Sequence, residues 1–453
     1  MTPAAPGVPP VPSLQAVPAS ALLQRILKLA APTTLMAACQ VIAQVAETWL
    51  AARQGTAALA GWAVVLPFAL LLQQMSAGAM GGGVVSAIAR ALGAGRTDEA
   101  SALVRHALSI ALLGGLLFSV LLAIFPRPIF EFIAGPEVAQ AAVPYAVLLF
   151  GLGAIPAWLA NTLASILRGG QKHRLAARVL ILTWVALPIL SWLMAEPLQL
   201  GLPGLGIAYF IVFTLAALVM GLAVMRGEAG FVPVIRGPIS FSLMHKVLSV
   251  GLVACGLAAI SNLTTIVVTS QIKHFGTTAV AAYGISARLE FLVVPLAFGI
   301  GSALTALVGG AVGAKDWASA RRIAWIGGGL AFAVTSTLGV FVALYPASFA
   351  RFFTDDLAVV QVATLALMFI GPAFGAYGLG MALYFSSMGA GRMRWTIFGA
   401  FARIGVATLG GWMLANGAGM GIQGHFLGVA LGILSYGLVT AIGVRPGYWR
   451  ARP

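Results

Sequence analysis

Long runs of apolar residues, separated by short polar stretches, dominate the chain. A helix needs about 20 mainly apolar residues to cross a hydrocarbon core of about 30 Å, and in lipid its backbone polar groups must all be paired internally. Twelve segments meet that demand: 22–52, 57–90, 101–125, 139–167, 175–195, 203–225, 245–272, 278–311, 320–345, 358–387, 395–415 and 424–444. Each is predicted to be a membrane-spanning α-helix, and several have length to spare for tilt. The chain also repeats itself at a period of roughly 220 residues. Gly55-Thr56 with Ala58 and Ala60 recurs as Gly276-Thr277 with Ala279 and Ala281. Gly93-Ala94 recurs as Gly313-Ala314, Gly151 as Gly371, and the exit Arg168-Gly169-Gly170-Gln171 as Gly389-Ala390-Gly391-Arg392. An even number of spans per half makes the halves run in the same direction, related by an axis along the membrane normal. The expected fold is therefore an all-α polytopic membrane protein in two lobes with a cleft between them. The lobes are 20–226 (helices 1–6) and 245–446 (helices 7–12), joined by a linker at 227–244. Residues 1–19, rich in proline and without the basic start and apolar core of a signal peptide, read as a disordered tail, and 447–453 as a C-terminal tail.

Composition removes the soluble alternatives. Of the 453 residues 60% are hydrophobic and 8% charged, against about 25% charged in a soluble domain. A net charge of +15 would suggest nucleic acid elsewhere. Here the basic residues sit in short gaps between apolar runs and act as topology signals. They place both termini in the cytoplasm, leaving only Arg53, Arg127, Lys273 and Arg351 on the opposite side, and fit a bacterial inner membrane. No nucleic-acid partner is expected, and the working unit is expected to be a monomer. The two cysteines, Cys39 and Cys255, lie in apolar runs and give no disulfide or zinc framework. There is no phosphate loop, HExxH or nucleophile elbow. The five histidines, His106, His173, His245, His274 and His425, all stand at span ends or in loops, which argues against an enzyme.

Ionisable residues inside spans are the sharpest candidates, because a charge in the bilayer is retained when it is paired or functional. Glu47 lies in the apolar first helix with no charged neighbour before Arg53. It is either a proton-coupling site or an interfacial acid paired with Arg53. Glu290 on helix 8 shares its half with Arg288 and Arg403. Residues two apart point different ways on a helix, so Arg403 is the expected partner, in either a structural ion pair or a second coupling or substrate site. Gln40, Gln44 and Glu47, three and four residues apart, share a face that is expected to line the cleft. Gln73, Asn161 and Asn262 either line the cleft or hydrogen-bond between helices, and Tyr283 either receives substrate or packs.

The order of these motifs resembles the multidrug and toxin extrusion (MATE) family over nearly the whole chain after the tail. The carriers are Pro32, Glu47, Gly55-Thr56-Ala57-Ala58-Leu59-Ala60 and Gly93-Ala94-Gly95 in the first half. In the second they are Ala281-Ala282-Tyr283-Gly284-Ile285, Arg288-Leu289-Glu290 and Gly313-Ala314-Lys315. The Arg-Leu-Glu run is closer to the DinF-type branch. The resemblance implies export of organic, often cationic compounds by antiport against protons or sodium, without a cofactor, with Pro32 letting helix 1 bend when its acid is protonated. Three departures matter. The helix 1 acid is Glu47 where many members carry aspartate. Thr183 and Leu187 stand where helix 5 often carries an Asn and an Asp, and helix 7 offers Ser261 and Asn262 where the NorM-type branch has an acid. A sodium cage wants several oxygens around a carboxylate, so protons are the expected coupling ion. A lipid-linked precursor flippase and a sodium-coupled exporter of the same fold are the alternatives.

Overall fold

The computed structural model describes residues 17–449. Most of the predicted N-terminal tail (1–16) and the last residues of the C-terminal tail (450–453) lie outside the described residues. The regular structure of the described chain is all helical, and twelve of its helices are long and apolar enough to cross a membrane. The first half holds α1 (Ala19–Arg53), α2 (Thr56–Gln73), α3 (Gly81–Gly93), α4 (Thr97–Ser119), α5 (Pro126–Ala146), α6 (Ala154–Gly169), α7 (His173–Ala195) and α8 (Leu202–Met225). The second holds α9 (Phe241–Ile272), α10 (Thr277–Gly313), α11 (Trp317–Leu344), α12 (Pro346–Arg351), α13 (Leu357–Ile370), α14 (Phe374–Ala390), α15 (Arg394–Gly405) and α16 (Ile422–Gly443). Several rods are continued by π-helical turns, among them Gln74–Met80 between α2 and α3 and Val147–Leu152 between α5 and α6. At Gly135, with φ of 83°, the chain turns inside α5. The fourth spanning rod therefore starts near Pro136, after a short helical segment that the apolar pattern leaves unassigned. Its counterpart in the second half is α12.

The backbone repeats with the sequence. Gly55 and Gly276 start α2 and α10 with φ of 106° and 97°, a region closed to most side chains. Gly201 and Gly421, both at φ 59°, start α8 and α16. Gln171 and Gly391 share the left-handed conformation, which pairs Gln171 with Gly391 rather than with Arg392 and corrects the sequence register at that exit by one residue.

Each half builds its own apolar core. One cluster joins α2 to α8 with the second part of α1, from Met36 to Ala51; another joins α10, α13, α14 and α16. The first part of α1 behaves differently, since Leu22, Ile26 and Ala30 pack with Ile300, Leu304 and Leu307 of α10. Helix α1 thus changes lobes along its length, and Pro32 stands at the change. Small residues let the lobes meet. A methyl group added to Gly93 would strike the Gly310 carbonyl, one on Gly313 the Arg90 carbonyl, and one on Gly83 the Val247 carbonyl. The Ser86 hydroxyl donates to the Met388 carbonyl at 2.6 Å, and Lys246 of α9 pairs with Glu99 of α4 at 2.6 Å. All of these contacts lie toward the end where Gly93 and Gly313 close their helices.

Candidate functional site

Above that seam a cavity of about 350 Å³ lies between the lobes, lined chiefly by the second half. The π-turn at Gln74–Met80 supplies its first-half wall. A π-turn closes its hydrogen bond over five residues instead of four and is frequent at functional sites; here the stretch brings Gln74, Gly78 and Ala79 to the cavity. Helix α9 contributes Ser261 and Asn262, α10 contributes Glu290 and Phe298, α14 contributes Tyr377 and Tyr384, α15 contributes Arg403 and α16 contributes Tyr436.

The polar centre of the cavity is an ion pair. Arg403 Nη2 donates to Glu290 Oε1 at 2.7 Å, and its Nη1 to Ser261 Oγ at 3.3 Å. The guanidinium also lies 5.1 Å from the centre of the Tyr377 ring. Arg288, two residues before Glu290, is exposed and sits over Phe353 instead, 5.1 Å from its centroid. Helical geometry had separated these two arginines correctly. Tyr283 is buried in the second-half core and does not line the cavity. With Glu290 neutralised by Arg403, the rest of the wall is aromatic, aliphatic and uncharged polar, a surface suited to flat organic molecules.

Glu47 is elsewhere. It is 7% exposed and faces the interior of the first lobe, beside Ser191 of α7, with Tyr145 and Trp62 packed nearby. Its Oε1 has no hydrogen-bond partner. The alternative pairing with Arg53 is not made. Arg53 Nε donates to Glu196 Oε1 at 2.6 Å, and the Trp192 indole donates to the other carboxylate oxygen at 3.1 Å. In the loop after α7, the Arg53 guanidinium holds the Glu196 carboxyl below the usual carboxylate range. Gln40 and Gln44 are half-buried on α1 and do not line the cavity, so the face of α1 expected to line the cleft does not line this cavity.

Gln73 and Asn161 hold the first lobe together. Asn161 Nδ2 donates to Gln73 Oε1 at 2.9 Å and to Ser76 Oγ at 2.8 Å, and Gln73 Nε2 donates to the Tyr209 hydroxyl at 2.6 Å. All four residues are buried, and the neighbouring Gln74 takes the place expected of Gln73 in the cavity wall. Asn262 does line the cavity. Thr183 bonds its own helix, to the Val179 carbonyl, and Leu187 is buried in the apolar core. Ser191, Tyr145, Tyr209, Ser76 and Tyr436 had no sequence signal of their own, because Ser and Tyr inside apolar runs look the same whether they pack or serve.

Comparison with known proteins agrees with this architecture. The MatE family model matches residues 32–193 and 254–413. A probable multidrug resistance protein of Bacillus subtilis, YoeA, is 25% identical over 388 residues, covering 83% of this chain and 82% of its own. A protein of Shewanella oneidensis named as a FAD transporter is 22% identical, covering 74% of this chain and 75% of its own. Among solved structures, the Vibrio cholerae MATE transporter VcmN in its bent form superposes with a TM-score of 0.87 at 20% identity, over 94% of this chain and 97% of that one. The chain belongs to the MatE family of membrane transporters.

Proposed function

We propose that the chain is a secondary-active antiporter that exports flat, drug-like organic compounds, cations among them, in exchange for protons taken up at Glu47. The observation that carries this reading is the setting of Glu47. A carboxyl enclosed without a cation must be neutral or hydrated. Opening the first lobe to water exchanges one condition for the other, which is what coupling requires. Pro32, where α1 passes from one lobe's core to the other's, is the place at which a change at Glu47 can bend the helix. In the cavity, the faces of Tyr377, Tyr384 and Tyr436 offer a surface to aromatic cations. Arg403 already occupies Glu290, which supports protons over sodium as the coupling ion, and a single paired arginine is a poor match for a lipid-linked pyrophosphate.

The test is uptake of a fluorescent organic cation into inside-out vesicles under separately imposed proton and sodium gradients. Proton-driven uptake lost in Glu47→Gln, with the variant still folded, is the expected outcome. Uptake driven by sodium alone would overturn proton coupling and move attention to Glu290. A second reading, transport of flavin nucleotides, is favoured by the relative named as a FAD transporter. Flavin nucleotide efflux that survives when the organic cation is not moved would select it.

A further inference from the structure

Below the cavity floor lies a buried arginine that the transport reading does not use. Arg168 ends α6, at a span end, where basic residues ordinarily sit in the polar loops that fix topology. Its side chain is instead 1% exposed. Among the described residues no carboxylate pairs with it. The guanidinium lies over the Phe298 ring of α10, 5.6 Å from the centroid. That contact supports the charge through the face of the ring but leaves the in-plane N–H groups unused, and Nε and Nη2 have no hydrogen-bond partner.

One turn along α10, Ser302 Oγ stands 3.4 Å from Nε2 of His173, the first residue of α7. His173 is fully buried and its Nδ1 is also without a partner. Phe298 and Ser302, four residues apart, share one face of α10. Two basic side chains of the first lobe therefore meet the second lobe at one spot, under the ring that also floors the cavity. Buried polar groups are nearly always satisfied, and a buried charge is tolerated when something compensates it. Here the protein supplies donors and no acceptor of opposite charge.

We infer that Arg168, with His173 and Ser302, binds a small inorganic anion such as chloride at the seam between the lobes. A single spherical, weakly hydrated ion suits two guanidinium N–H groups and the one hydrogen that the His173–Ser302 pair leaves free, on the imidazole or on the hydroxyl; phosphate would bring more acceptor oxygens than these donors can meet. Because the donors come from both lobes, the site is complete only while this end of the molecule is closed. An anion bound there favours that state by mass action and leaves as the lobes part.

The experiment uses the full-length protein in detergent, with its thermal unfolding midpoint followed as chloride or bromide replaces gluconate at constant ionic strength and pH. The expected result is a saturable rise in the midpoint that is lost in Arg168→Gln, reduced in Ser302→Ala and His173→Phe, and kept in Arg226→Gln, an exposed control at the end of α8. A wild-type midpoint indifferent to the halide overturns the site and leaves water as the partner of Arg168. A halide rise of full size in the seam variants overturns it as well, since the ion would then bind elsewhere. If Arg168→Gln does not fold, Ser302→Ala and His173→Phe decide between the same two results.

Discussion

At the scale of single residues, charges divide into those that answer each other and those that stand alone. Glu290 and Arg403 answer each other, so removing one leaves its partner buried and uncompensated, at a cost of about 3–5 kcal/mol when such pairs are broken in protein interiors. Glu290→Gln and Arg403→Gln are each expected to lower the unfolding midpoint in detergent, and the double variant to be closer to wild type than the sum of the two. Additive losses would show that the pair contributes nothing as a pair. Glu196 and Glu47 make the opposite contrast. Arg53 keeps the Glu196 carboxyl below its ordinary range, so this group stays ionised from pH 5 upward and its pairing is lost only as pH falls through that depressed value. Arg53→Ala is therefore expected to leave the pH dependence of vesicle uptake between pH 5 and 8 unchanged, whereas Glu47→Gln removes it; a shifted profile in Arg53→Ala would assign the coupling proton to the wrong acid. Glu47, Glu290 and Arg403 were legible in the sequence because an ionisable side chain in an apolar run has no ordinary reason to be there. Ser191 and Tyr145 were not, since their importance lies only in what they face, and neither was the burial of Arg168, because a basic residue at a span end reports topology whether or not it is exposed.

At the scale of elements, twelve spans could be read from hydropathy because lipid imposes a length and forbids unpaired backbone. What escaped was the shape within the rods. The π-turn at Gln74–Met80 costs the chain only a shifted hydrogen-bond pattern and leaves no mark on composition, yet it decides that Gln74 and not Gln73 meets the cavity. Gly135 likewise leaves no mark on hydropathy: it separates the short helical segment after Pro126 from the fourth rod, which starts near Pro136, within a few residues of the expected 139. Glycines at the lobe contact are a case where the sequence repeat did carry structural meaning. Gly93 and Gly313 recur in the two halves and each presses on the other lobe's backbone. Backbone cannot turn aside as a side chain can, so Gly93→Ala is expected to force the lobes apart locally, a cost of about 1–3 kcal/mol of the kind seen for overpacking. A lowered unfolding midpoint, with Gly329→Ala as a neutral control because open space surrounds it, is the expected measurement. Equal midpoints for the two variants would mean that the lobes are not in contact there.

At the scale of the whole molecule, the contacts between lobes gather at one end and the basic loops gather there too. Lys246 with Glu99, Ser86 with Met388 and the crossing of α3 with α10 all lie on the side where Lys315 turns the chain into α11. The opposite end carries Thr354, in the turn between α12 and α13. The enrichment of Lys and Arg in cytoplasmic loops predicts that the closed end is cytoplasmic and that the cavity of this state is shut off from the inside. This is checked with Lys315→Cys and Thr354→Cys, each in a background with Cys39 and Cys255 replaced by Ser. A membrane-impermeant maleimide added to intact cells is expected to label the cysteine at 354 and to reach the one at 315 only after permeabilisation. The reverse pattern would invert the molecule: the seam holding Arg168 would face outward, the cavity would be closed to the exterior, and the direction of proton-driven cargo movement assigned above would have to be reversed with it.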